Sequence, residues 1–200
     1  MDKEYYYNLE ITKDMAIGHI EYLRPYLDAI IRYVKNKEAP ILEVGIGTGL
    51  CSIYLNQVGY VNVFGIDNNE LTIEKFYRTK NMFITDVEVA YADAFNLTDV
   101  KEELGIIQCV HHQGLLEHFP EEDIYGLLDH HIEITDDVVV FAVPLDSYKD
   151  EYEYDENENR WPLEKWLEIV SKYRLFEYGV FGIDHNHDQA YFVLGKYHEE

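Results

Sequence analysis

The segment Glu43-Val44-Gly45-Ile46-Gly47-Thr48-Gly49 constrains this chain more than any other stretch. Its first residues close the run Pro40-Ile41-Leu42-Glu43-Val44, which is nearly all apolar, as a strand buried on both faces of a parallel sheet should be. Beyond the glycines a helical pattern begins, with Leu50, Ile53, Tyr54 and Gln57 expected on the inward face and Gly59 as the stop. Three alternate glycines between a buried strand and a helix N-terminus let backbone approach a ligand closely. A dinucleotide fingerprint needs glycine three positions after Gly47, where Leu50 stands, and a phosphate-binding P-loop needs Gly-Lys-Ser/Thr, which the segment does not carry. Glu43 puts an anion at the strand end, which suits a cationic ligand better than a pyrophosphate.

The same alternation of strand and helix repeats along the chain. Val61 to Asp67 reads as a second strand, Asn68 or Asn69 as the cap of a helix carrying Ile73, Phe76 and Tyr77, Val87 to Tyr91 as a third strand and Ile106 to His111 as a fourth. Pro120 opens a helix with Ile124, Leu127 and Leu128 on one face, and Val138 to Val143 follows as a strand. Strands alternating with helices imply βαβ units and a mostly parallel sheet. The ending departs from that rhythm: a helix marked by Leu163, Trp166, Leu167 and Val170 precedes two strands, Phe176 to Ile183 and Gln189 to Gly195, which are close enough to require an antiparallel hairpin. At the other end, Thr12 is a cap for a helix running to about Leu23, and Pro25 starts a second helix with Leu27, Ile30, Ile31 and Val34 on one face.

With 200 residues, 47% of them apolar, the chain supports one sizeable core, so a single domain is expected. Sixteen Lys and Arg against 39 Asp and Glu give a net charge of −23, which repels phosphate backbones and anionic membranes; no nucleic-acid or membrane partner is expected. Cys51 and Cys109 have neither disulfide nor metal-ligand spacing and read as buried free thiols, which points to a reducing, cytoplasmic setting. No run approaches the roughly 18 apolar residues of a spanning helix. Asp184-His185-Asn186-His187-Asp188 sits in the turn of the terminal hairpin, where polar residues belong, and no metal site is assigned to it.

Glu43-x-Gly45-x-Gly47-x-Gly49 resembles the first motif of class I S-adenosylmethionine-dependent methyltransferases of the small-molecule type, and the resemblance extends over roughly Glu38 to Lys196. Gly65-Ile66-Asp67-Asn68 and Tyr91-Ala92-Asp93-Ala94-Phe95 match the two acidic positions that follow, and Leu115-Leu116-Glu117-His118 is similar to the segment after the fourth strand. The resemblance implies a Rossmann-like, doubly wound α/β sheet, mostly parallel with a C-terminal antiparallel hairpin, in strand order 3-2-1-4-5-7-6. It implies S-adenosyl-L-methionine as cofactor and S-adenosyl-L-homocysteine as product. The implied cofactor-binding residues are Glu43, Gly45, Gly47, Gly49, Asp67, Asn68, Asp93, Ala94 and His111, with Asp67 on the ribose hydroxyls and Asp93 on the adenine amino group. A carboxylate accepts two vicinal hydroxyl protons at once, and an amino group needs an acceptor. One departure is Gln108, where relatives usually carry Asp.

By the same resemblance His118 is the candidate base, with Tyr5, Tyr6 or Tyr7 as a latch; the competing reading is that His118 caps or packs the following helix. His111 and His112 should point to opposite faces if the strand persists, leaving at most one for the pocket. The expected layout is an N-terminal helical cap (1–37), a cofactor-binding core (38–144), an acidic lid (145–160) and a final helix with hairpin (161–200). Methyl transfer by in-line displacement in an enclosed pocket, to a small-molecule acceptor with a cationic amine as one such class, is the leading function. The alternative is a non-catalytic, cofactor-binding regulatory or partner subunit, which rests on Gln108 alone.

Overall fold

The computed structural model describes residues 11–148, 158–183 and 187–196. Two helices come first, α1 (Lys13–Tyr22) and α2 (Arg24–Tyr33). Then β1 (Ile41–Val44), α3 (Leu50–Gln57), β2 (Val63–Asp67), α4 (Glu70–Lys80), β3 (Glu88–Tyr91), α5 (Thr98–Leu104) and β4 (Ile107–Gln113) alternate. A 3-10 turn (Leu116–His118), α6 (Glu121–Ile134), β5 (Thr135–Pro144), α7 (Leu163–Val170), β6 (Arg174–Phe181) and β7 (Gln189–Gly195) complete the chain order. The strands form one seven-stranded sheet in the order β3-β2-β1-β4-β5-β7-β6. All pairings from β3 through β5 are parallel, while β7 runs antiparallel to both β5 and β6.

Strand periodicity explains why helices cover both faces. In β5, Val138, Val140 and Ala142 enter one apolar cluster with residues of α1, α2, α3 and α4, whereas Val139, Phe141 and Val143 enter the other with residues of α6 and α7. Thr12 caps α1 by accepting from the Met15 amide, and Pro25 lies in the first turn of α2. Asn69, not Asn68, caps α4, its Oδ1 accepting from the Leu71 and Thr72 amides.

Three local expectations change. Gln57 is exposed, and α3 buries Leu50, Cys51, Ser52, Ile53 and Leu55 instead, because it is packed against α1 and α2 as well as the sheet. Tyr77 is 48% exposed; α4 turns Thr72, Lys75, Phe76 and Thr79 inward. β4 continues past His111 to Gln113, so both histidines are strand residues, and both are fully buried. Cys51 and Cys109 are buried free thiols. Among the described residues no helix is long and apolar enough to cross a membrane.

Candidate active site

A cleft of about 200 Å³ opens at the C-terminal ends of the central strands, where open α/β sheets bind ligands. Of the residues singled out in the sequence, Gly45, Asp67, Asn68, Asp93 and Ala94 line it. They are joined by Val44, Ile66, Ala92, Phe95, Leu115 and Phe119, so the wall carries two carboxylates and no lysine, arginine or histidine.

Both carboxylates are set by the amide two residues ahead. Asp67 Oδ1 accepts from Asn69 N at 3.0 Å, and Asp93 Oδ1 accepts from Phe95 N at 3.0 Å. Each bond is an Asx-type turn, a short-range device that fixes a carboxylate at a strand end while leaving lone pairs for a ligand. Asp67 Oδ2 also lies 3.5 Å from Gly47 N, which ties the glycine loop to the second strand. Burial pushes the Asp67 carboxyl above its ordinary value, against the opposing effect of the Asn69, Gly47 and Asn68 amides.

The glycines divide their labour. Gly45 has φ +70°, and a Cβ there would stand 3.1 Å from Leu115 Cδ1, so the first glycine keeps the cleft floor open. Gly49, at φ +68°, caps α3 in the left-handed region, and a Cβ would meet Phe76 at 2.4 Å; its service is to the fold. Phe95 and Phe119 stand edge to face across the cleft, 5.4 Å between ring centroids. Sequence reasoning gave this pair no role, although Phe95 ends the motif Tyr91-Ala92-Asp93-Ala94-Phe95 and Phe119 directly follows Leu116-Glu117-His118.

The structure takes other expected site residues away from the cleft wall. Glu43 is 4% exposed and turned inward, where Ser52 donates to its Oε2 through both N–H and O–H. Burial raises its carboxyl to about 7. His111 faces α2, its Nδ1 2.8 Å from the Tyr26 hydroxyl, and its Nε2 has no partner. His112 points to the opposite face, toward His131 of α6, 5.2 Å away between ring centroids. His118 is exposed, at the end of the 3-10 turn, and does not line the cleft. Gln108 lies at the far end of the sheet, beside a second hollow of about 590 Å³ shared with Asp136 and Asp137. Tyr5 to Tyr7, the middle of the acidic segment (149–157) and residues 184–186 of the terminal turn lie outside the described residues. Among the described residues no group of histidine, cysteine and carboxylate side chains could hold a metal.

A family model for the methyltransferase domain matches residues 41–136, the stretch that contains the glycine loop and both acids. Over that stretch the chain is similar to the methyltransferase domain. Methyltransferase srdJ of Neurospora crassa is 29% identical over 106 residues, covering 50% of this chain and 46% of that protein. The chain spans less than half the length of the curated methyltransferases it matches. Among solved structures, a Pyrococcus horikoshii protein superposes with a TM-score of 0.75 at 17% identity, over 98% of this chain and 100% of the other. Magnesium protoporphyrin IX methyltransferase of Synechocystis, crystallised with S-adenosylhomocysteine, does so with a TM-score of 0.70 at 14% identity, over 97% and 92%. At such identities these likenesses establish the methyltransferase fold.

Proposed function

We propose that the chain transfers the methyl group of S-adenosylmethionine to a small-molecule acceptor. The observation that carries this reading is the make-up of the cleft, which offers two oriented carboxylates, two phenyl rings and no cation. Such a wall suits a ligand with hydroxyls, an exocyclic amine, an aromatic base and a positive charge, and it repels a pyrophosphate. In this reading Asp67 accepts from the ribose hydroxyls, Asp93 from the adenine amino group, and the backbone at Gly45 lies against the methionine part, with Asn68 and Ala94 completing the wall. Glu43, Gly47 and Gly49 serve it indirectly: the first anchors α3 through Ser52, the second meets Asp67, and the third starts the helix.

The cofactor supplies an electrophilic methyl group with a neutral leaving group. The protein therefore has to hold the acceptor in line, exclude water and accept a proton where the acceptor carries one. The acceptor space is proposed to lie over the ends of β4, β5 and β7. There the Tyr22 hydroxyl of α1 donates to the His187 carbonyl at 2.5 Å, Tyr148 stacks on His187 at 5.0 Å, and Leu145 N donates to the Asp188 carbonyl. These contacts bring the N-terminal helices and the segment after β5 to one place, which supports a closed pocket and a compact acceptor over a protein substrate. The non-catalytic reading loses its support, because Gln108 sits at the end of the sheet away from the cleft.

The test is isothermal titration with S-adenosylmethionine and S-adenosylhomocysteine, on the native chain and on Asp67→Ala. Micromolar binding that the variant abolishes is expected. Failure of the native chain to bind either ligand overturns the proposal.

A further inference from the structure

Between Leu115 and Phe119, which line the cleft, Glu117 is only 4% exposed, and its Oε2 has no hydrogen-bond partner. Its Oε1 lies 3.5 Å from where a Cβ on Gly114 would stand, which places the carboxyl at the ligand end of β4, over the glycine that follows the strand. The returning chain is tied to the main chain of this turn: Asn159 N donates to the Glu117 carbonyl at 2.6 Å, and Asn159 Nδ2 donates to the Phe119 carbonyl. The nearby guanidinium of Arg160, its side chain 6% exposed, is directed elsewhere, to Glu158 through Nε and Nη2 and to the Tyr148 carbonyl through Nη1.

A buried carboxyl oxygen without a partner is costly unless a ligand supplies one. Two charged groups act on Glu117, the Glu158 carboxylate, which disfavours its ionised form, and the Arg160 guanidinium, which favours it and is itself paired with Glu158. An ammonium group is the complement in both charge and hydrogen-bond donors. We propose that Glu117 receives the amino group of the methyl acceptor and takes its proton, so that the acceptor is a small amine. The proposal rests on the methyltransferase reading above.

In the step itself one N–H bond of the ammonium breaks, its electron pair stays on nitrogen, and the proton bonds to Glu117 Oε2. The neutral amine then has a lone pair to present to the methyl group. Burial supports the exchange by raising the Glu117 carboxyl to about 8, with the Glu158 charge adding to the rise and Arg160 opposing it; a carboxylate in the ordinary acidic range would be a far weaker base. His118, next in sequence, is exposed and has no such setting.

The experiment titrates the full chain, loaded with S-adenosylhomocysteine, with a panel of primary, secondary and aromatic amines led by putrescine, ethanolamine and benzylamine, each beside its alcohol counterpart. Wild type, Glu117→Gln and His118→Gln are compared. The expected result is that wild type binds at least one amine and not its alcohol, more tightly as the pH rises from 6 to 8. Glu117→Gln should weaken that binding at least tenfold with unchanged affinity for S-adenosylhomocysteine, and His118→Gln should leave both alone. If no amine binds, or if Glu117→Gln binds the amine as wild type does, the assignment is wrong. Loss of S-adenosylhomocysteine binding in Glu117→Gln alone also overturns it, by making Glu117 part of the cofactor site or the fold. If the loaded complex cannot be formed even with wild type, the methyltransferase reading falls and takes the amine with it.

Discussion

Replacing His131 with leucine should leave the protein at least as stable at neutral pH and make it markedly more resistant to acid. His131 is fully buried on α6, and neither of its ring nitrogens has a partner. Burial, helped by His130, pushes its imidazole down to about 3, against an ordinary value of 6.5. The folded state therefore keeps it neutral while the unfolded chain takes up a proton below pH 6.5, so its contribution to stability is undiminished above that pH and shrinks as the pH falls. Between pH 7.5 and 5.0 the loss is about 2 kcal/mol, from about 1.5 pH units at 1.36 kcal/mol each. Glu43 and Glu117 act in the opposite sense: with carboxyls raised to about 7 and about 8, they cost stability at alkaline pH and stop doing so on acidification. The wild-type pH profile is thus a sum of opposed slopes, and only the difference between variant and wild type isolates the histidine. Leucine also removes two unsatisfied buried nitrogens, each costing about 1–3 kcal/mol. Urea unfolding at pH 7.5 and 5.0 measures both effects. Loss of stability in wild type that exceeds that of His131→Leu by about 2 kcal/mol is expected. Parallel losses in the two proteins would refute the claim that His131 is neutral in the fold.

Gly49→Ala should destabilise by about 2–4 kcal/mol, since alanine in the left-handed region costs about 1–2 kcal/mol and its Cβ collides with Phe76; thermal unfolding checks it, and a change below the measurement error would contradict the packing described. Tyr26→Phe leaves His111 Nδ1 without its partner in a dry core and should cost about 1–3 kcal/mol in urea unfolding. Because neither residue lines the cleft, affinity for S-adenosylhomocysteine should stay the same, and a large loss of affinity would count against this placement of His111.

Much of the fold is legible in the sequence because its signals are local. The mostly apolar run at Ile41–Val44, the Thr12 cap, Pro25 and the two closely spaced final strands each carry their instruction within a few residues. α5 escapes such reading because it buries none of its residues fully, and only Val100 and Leu104 pack against the core. Gln57 and Tyr77 are misplaced for a different reason: helical periodicity marks a face, but which residues border it depends on α1, α2 and the sheet, which come from elsewhere in the chain. His111, expected at the cofactor site, and His112 are both core residues in the fold, on opposite faces of a β4 that runs on to Gln113.

The same distinction separates the two halves of the candidate site. The acids of the cleft are held by contacts two residues apart, Asp67 with Asn69 and Asp93 with Phe95, so they could be read from a motif. The surroundings of Glu117 are built from contacts some 40 residues apart, Glu117 with Asn159 and Phe119 with Asn159, and no local pattern records them. Glu117 therefore passes in the sequence as the middle letter of Leu-Glu-His, beside a histidine that attracts more notice. The chain returning from β5 ties Asn159 to the main chain of the 3-10 turn, while Arg160 bonds Glu158 and the Glu117 Oε2 is left without a hydrogen-bond partner.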